Sequence, residues 1–239
     1  MIYDIAIIGG TLPSLISSIK LSEKLKVCII DINQEIGFPT NFPGIIENEK
    51  LLDEFLSEKE KLYIKKNKYG YGLRSEWLMK YLTHNAAKNG VDILNRTRVS
   101  NIFYDELFNI EVIGGGPKNN TINSKIILDE TDRIYLPPGD KKHTIPKLNK
   151  LIISFDVSQK EYFVGTIPIL NSKNIFDYIL KIDRDDELTE FWFDQEPSKE
   201  INWIEVKNCL SFSNIEELSI DKHIEMSNSI VETILKLLT

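Results

Sequence analysis

The N-terminal 31 residues admit few folds. Tyr3–Ile8 is a short apolar run closed by Gly9-Gly10. Leu15, Ile16, Ile19 and Leu21 then recur at helical spacing, and Val27–Ile30 is a second apolar run that ends on Asp31. Two short, continuously apolar strands on either side of a helix are covered on both faces. That pattern belongs to a parallel βαβ unit, because an antiparallel pair with one wet face would alternate apolar and polar residues.

The turn after the first strand is close to a nucleotide-binding sequence. The dinucleotide fingerprint GxGxxG would place glycines at 9, 11 and 14, and this chain has Gly9, Thr11 and Ser14, with Gly10 between. Gly9 can make the tight turn. Thr11 brings a branched side chain to the position where backbone would approach a diphosphate. Ser14 is small enough to let helix and strand pack closely. Asp31 stands 22 positions after Gly9, where an acid would bind the ribose hydroxyls of an adenosine. The free amides and dipole at the start of the helix favour an anion there. Two readings stay open: a bound dinucleotide, or a Rossmann-like unit that keeps the fold without it. A Thr11 side chain aimed into the diphosphate space would favour the second.

Beyond Asp31 the pattern changes twice. Residues 33–46 form a loop bearing Gly37, Pro39, Pro43 and Gly44. A short helix is expected over Lys50–Ser57, and a longer one through Asn89, with Ser75 as its N-cap and Gly90 at its end. From Val91 the period shortens towards two. Val91–Leu94, Thr97–Tyr104, Phe108–Ile113 and Ser124–Leu128 read as a strand followed by an antiparallel meander. Residues 137–147 read as a linker, Leu151–Val157 and Glu161–Ile169 as a hairpin, Ile175–Ile182 as a helix, and Asn208–Ser213 as a strand. Asp183–Glu200 holds eight carboxylates against Arg184 and Lys199, around Phe191-Trp192-Phe193. A solvated hairpin with inward aromatics fits that run better than a metal site. Asp221–Leu238 is amphipathic, with lysines and glutamates mixed on its polar face, and is expected to dock on the core.

Charge and cysteine usage narrow the class. Lys and Arg number 29 against 36 Asp and Glu, a net −7, which argues against an electrostatic nucleic-acid binder. No apolar run reaches the roughly 18–20 residues that span a bilayer, and the chain opens directly on a strand without a secretory pattern. A cytoplasmic protein is expected. Cys28 and Cys209 are far apart in apolar runs, so buried thiols are expected rather than a bridge, and no zinc site follows from them and His84, His143 and His223. His84 and His143 read as surface residues.

Four stretches resemble the FAD-dependent geranylgeranyl reductases, within the glutathione-reductase-type flavoproteins: residues 4–10 through Asp31; Glu35-Ile36-Gly37-Phe38-Pro39 with Phe42-Pro43-Gly44-Ile45; Gly70-Tyr71-Gly72-Leu73-Arg74 with the helix and meander that follow; and residues 208–214 with the closing helix. The resemblance implies an α/β, Rossmann-like FAD-binding fold with a central parallel sheet, an antiparallel meander and a reduced β-rich second domain. It implies a nucleotide domain over 1–136 and 206–239 and a shortened substrate domain over 137–205. It places FAD at Gly9, Gly10, Thr11, Ser14 and Asp31, with Arg74 near the nucleotide and Asn214 at the ribityl chain. The chain departs from the family where Phe42 replaces a cysteine near the flavin, where Ser213-Asn214 replaces Gly-Asp, and where Asp129-Glu130-Thr131 replaces a small residue and glycine.

Two functions follow as expectations. One is an FAD-dependent oxidoreductase acting on an apolar, isoprenoid-like substrate, with Tyr162, Phe163, Phe191 and Trp192 as candidate walls of its pocket. The other is a non-catalytic descendant that binds a ligand or a protein partner. A homo-oligomer is compatible with both. No GxSxG, HExxH or P-loop supports a different enzyme class.

Overall fold

The computed structural model describes residues 2–68, 70–130, 152–154 and 158–238. In chain order the elements are β1 (Ile2–Ile8), α1 (Leu12–Ser22), β2 (Val27–Ile30), β3 (Ile45–Ile46), β4 (Lys65–Asn67), β5 (Gly70–Gly72), α2 (Ser75–Lys88), β6 (Asp92–Leu94), β7 (Thr97–Asp105), β8 (Leu107–Gly114), β9 (Thr121–Asp129), β10 (Ile152–Ser154), β11 (Gln159–Pro168), β12 (Leu180–Asp183), β13 (Leu188–Phe193), β14 (Glu205–Phe212) and α3 (Ile220–Leu238). Four short 3₁₀ turns connect them. No helix among the described residues is long and apolar enough to cross a membrane.

The chain divides into two compact units. The first comprises Met1–Phe38, Leu82–Asp156 and Met226–Thr239. Its sheet runs β6-β2-β1-β9-β8-β7. β1 pairs in parallel with β2 and β9, and β2 pairs in parallel with β6. β7, β8 and β9 form the antiparallel meander. The expected buried strands are present: all four residues of β2 and the last four of β1 are buried. Tyr3, Ala6, Ile8, Cys28 and Ile30 pack with Phe108, Ile110 and Val112 of the meander. α1 carries three fully buried serines at 14, 17 and 18. Ser17 Oγ donates to the Ser227 carbonyl of α3 at 3.5 Å, and Ser227 Oγ to the Pro13 carbonyl at 3.3 Å.

The second unit comprises Pro39–Tyr81 and Val157–Glu225. Its larger sheet runs β12-β13-β11-β14, all antiparallel, and a smaller one runs β3-β5-β4. Side chains alternate across a strand, so β13 feeds two cores. Trp192 joins Tyr162, Val164, Ile182 and Cys209, while Phe191 and Phe193 join Ile167 and Ile175.

Four local expectations are corrected. β10 does not form a hairpin with β11. It adds in parallel to β9, pairing Ile152–Ser154 with Ile127–Asp129. An apolar run suits a strand in a parallel sheet as well as a hairpin arm, and periodicity cannot separate them. The helix expected over Ile175–Ile182 is replaced by an irregular segment that leads into β12. Asp177 there has φ +60°, which breaks a right-handed helix. Lys50–Ser57 yields only a 3₁₀ turn over Glu49–Leu52, capped by the Asn48 side chain, too short a run to sustain an α-helix. Ser75 is the first helical residue of α2 and not its cap, because the Arg74 carbonyl accepts the Leu78 N–H. The linker over 137–147 and His143 lie outside the described residues.

Candidate cofactor site

The turn between β1 and α1 is built by its glycines and closed by Asp31. Gly9 has φ +100°, a region that favours glycine, and its N–H donates to the Ile30 carbonyl at 2.9 Å. A Cβ on Gly10 would lie 2.5 Å from Asp31 Oδ2 and 2.7 Å from Ile36 Cγ2, so no other residue fits without displacing them. The Gly10 N–H donates to that same Oδ2, and the Asn33 N–H donates to Oδ1 at 2.6 Å. Asp31 is only 5% exposed. Burial pushes its carboxyl above the usual carboxylate range, and the two backbone N–H bonds pull the other way without cancelling it. No cation is paired with it among the described residues.

Thr11 does not reach outward as a bare obstruction. It is the N-cap of α1, and its Oγ1 accepts the Ser14 N–H at 3.2 Å. The same hydroxyl lies 3.0 Å from Ser14 Oγ and 3.3 Å from Glu130 Oε2, to which it donates. Ser14 is therefore more than a small residue tolerated beneath the helix. Pro13 has no N–H and the Leu15 N–H is taken by the Thr11 carbonyl. The amide of Leu12 is left as the main donor of the first turn. Glu130, just past the end of β9, brings its carboxylate beside the Thr11 hydroxyl.

Arg74 and Asn214 belong to the second unit. Arg74 is half-exposed, bonds Glu76 Oε2 through Nε at 3.3 Å, and lies over the Trp77 ring at 5.8 Å. Glu76 also meets Lys207 Nζ and Thr40 Oγ1, at 3.3 and 3.2 Å. Burial is the largest influence and opposes the Glu76 charge, but the Lys207 ammonium, the hydrogen bonds and Arg74 together outweigh it and hold the carboxyl below its ordinary value. No local sequence signal marks this cluster, since its members lie far apart in the chain. Asn214 caps a 3₁₀ turn, its side chain accepting the Glu216 N–H at 3.1 Å. Phe42, which stands where the resembled family has a cysteine, is buried with its ring 5.5 Å from that of His223. Tyr162, Phe191 and Trp192 are buried core residues, and Phe163 packs against the cluster that holds Phe191. His84 is exposed. Both cysteines are buried free thiols, and burial pushes Cys209 up to about 12.

A parallel sheet with a βαβ start, an acid at the end of its second strand, an antiparallel meander and a separate antiparallel sheet make up a Rossmann-like α/β fold of the kind found in FAD-binding oxidoreductases. The chain is similar to p-nitrophenol 4-monooxygenase from Pseudomonas putida, with a TM-score of 0.70 at 11% identity over 99% of this chain and 80% of that one. It is similar to a flavoprotein/dehydrogenase from Cytophaga hutchinsonii, with a TM-score of 0.62 at 14% identity over 99% and 79%. It is also similar to a geranylgeranyl bacteriochlorophyll reductase-like protein from Thermoplasma acidophilum, with a TM-score of 0.54 at 11% identity over 98% and 63%. At such identities the likeness is one of fold, and it extends to monooxygenases and dehydrogenases as well as to the reductase-like protein. No protein-family model and no curated protein sequence matches the chain.

Proposed function

We propose that the protein is an FAD-dependent oxidoreductase acting on an apolar substrate. The observation that carries this reading is the Gly9-Gly10-Asp31 arrangement. A buried carboxylate with no cation paired to it among the described residues sits at the end of β2, accepting from two peptide N–H groups, behind a turn that only glycine can make. Burying a charge without a counter-ion is unfavourable for folding alone. A ligand that donates hydroxyl hydrogen bonds accounts for it.

In this reading the diphosphate lies along Gly9, Gly10 and the first turn of α1, including Thr11 and Ser14. The adenosine ribose donates its hydroxyls to Asp31, whose oxygens keep lone pairs beyond those used by Gly10 and Asn33. The flavin, when bound, supplies hydride transfer. The protein holds it, screens it from water and orients it. An isoprenoid-like substrate is the finer form of the proposal and rests on the resemblance of residues 35–45.

Purified protein should be yellow, or turn yellow on adding FAD, with absorbance at about 450 nm. Asp31→Ala should weaken FAD at least about tenfold, the usual range for a charged acceptor lost from a buried site. A colourless protein that ignores added FAD would overturn the proposal in favour of a non-catalytic binding module. An Asp31→Ala variant of unchanged affinity would remove the ribose contact alone.

A further inference from the structure

The second unit carries a cleft far in chemistry from any flavin role. It opens between the segments 174–179 and 193–203 and has a volume of about 580 Å³, within the range of small-molecule sites. Aromatic rings form its walls: Phe193, Trp203 and the 71% exposed Phe176. Carboxylates stand along its lip at Asp177, Asp194 and Glu196.

The walls are fixed. Gly165 lies in the middle of β11, where a glycine ordinarily weakens a strand. A Cβ there would come within 2.8 Å of two indole carbons of Trp203. The missing side chain is what lets the indole lie on the sheet. Trp203 Nε1 donates to the Ser198 carbonyl at 3.1 Å, and its ring meets that of Phe193 edge-on at 5.8 Å. A pre-organised aromatic wall loses little entropy when a ligand arrives.

The surroundings already take cations. Lys181 Nζ lies over the Phe191 ring of the same aromatic cluster at 5.6 Å, and Lys160 Nζ lies 2.7 Å from Asp194 Oδ1. Among the described residues Glu196 pairs only with the exposed Lys199, at 3.4 Å, a contact that is weak in water. Aromatic faces and carboxylates around one concavity suit a positive charge with apolar substituents: the ring faces attract it and the methyl groups fill the space.

We infer that this cleft binds a small alkylammonium cation of the quaternary or methylated-amine type. The inference does not depend on the flavin proposal. The probe is choline, with 3,3-dimethylbutanol as its neutral counterpart of the same shape, each titrated calorimetrically into the full chain. Choline should saturate one site and bind at least about tenfold more tightly than the neutral compound. The double variant Asp177→Asn, Glu196→Gln should weaken choline several-fold and leave the neutral compound unmoved. Phe176→Ala, at an exposed position that does not hold the fold, should weaken both. Phosphatidylcholine vesicles form a further arm: pelleting of the protein with them, reversed by free choline, would place the same cation on a lipid headgroup. Equal binding of choline and its neutral counterpart, or no saturable choline heat at all, would overturn the inference.

Discussion

The two units each bury a carboxylate, and they hold it in opposite ways. Asp31 in the first unit is satisfied by the backbone N–H groups of Gly10 and Asn33. Glu190 in the second is satisfied by side chains. Trp192 Nε1 donates to its Oε1 at 2.7 Å and Arg184 Nη1 to its Oε2 at 3.3 Å, while Arg184 also forks onto Asp186. Both Glu190 and Arg184 are about 5% exposed. Burial raises the carboxyl of Glu190, and its two donors oppose that rise. A carboxylate neutralised by its own arginine has settled its charge internally and reads as architecture. One held by peptide N–H groups and a neutral amide, with no cation among the described residues, still carries a charge that something else can use.

The sharpest way to break this contrast is to remove the cation. Arg184→Met should destabilise the protein by about 3–5 kcal/mol, because it leaves Glu190 buried and uncompensated. Adding Glu190→Gln should recover much of that loss. Asp31→Asn, by comparison, should cost only about 1 kcal/mol. Urea melts of the four proteins test this; if Asp31→Asn proves as damaging as Arg184→Met, the two carboxylates play the same part.

A second contrast is in pH. His223 is buried between Phe42 and Phe212, the latter ring stacked at 4.8 Å, and burial lowers it to about 4. The unfolded chain takes up that proton near the ordinary value of about 6.5, so it binds more protons than the folded chain between the two. Stability from His223 is therefore complete above pH 6.5 and is lost as pH falls towards 4, by about 3 kcal/mol in all. His223→Leu should flatten that slope. Asp31, raised by burial, has the opposite slope and favours folding on acidification, so only the difference between wild type and variant isolates the histidine. A melt of His223→Leu with the wild-type acid slope would refute the assignment.

The smallest effect sharpens the cofactor site itself. Under the proposed function, the Glu130 carboxylate beside Thr11 Oγ1 would repel a diphosphate bound at α1. Glu130→Gln should tighten FAD a few-fold, the scale of one charge pair in a wet site, as read by flavin fluorescence titration. Weaker binding would mean that Glu130 supports the cofactor.

The first unit was the more legible of the two, for a physical reason. Its signals are local: apolar runs, paired glycines and an acid at fixed spacing place Gly9, Gly10 and Asp31 in one turn before any tertiary contact is known. Thr11 was harder, because the same hydroxyl that would obstruct a diphosphate can fold back onto Ser14 as a cap, and only the backbone decides. The second unit depends on partners remote in sequence. Nothing local says that Lys207 meets Glu76, that Gly165 makes room for Trp203, or that Ile152–Ser154 chooses β9 over β11. The stripe Ile175, Ile179, Ile182 fits a helix as well as an irregular approach to a strand, until the left-handed Asp177 is seen.

The serine contact between α1 and α3 has a consequence for how the chain is made. Synthesis delivers β1 and α1 first and the Ser227 turn of α3 some two hundred residues later. For all that interval the small-residue face of α1 has no cover, and the parallel strands β1, β9 and β10 must also find each other over long separations. The first unit therefore cannot close before α3 is made, whereas the β11–β14 sheet can form before that helix emerges. The βαβ end is made long before α3 arrives to cover it, and a nascent chain in this state is where a chaperone would have the most surface to hold.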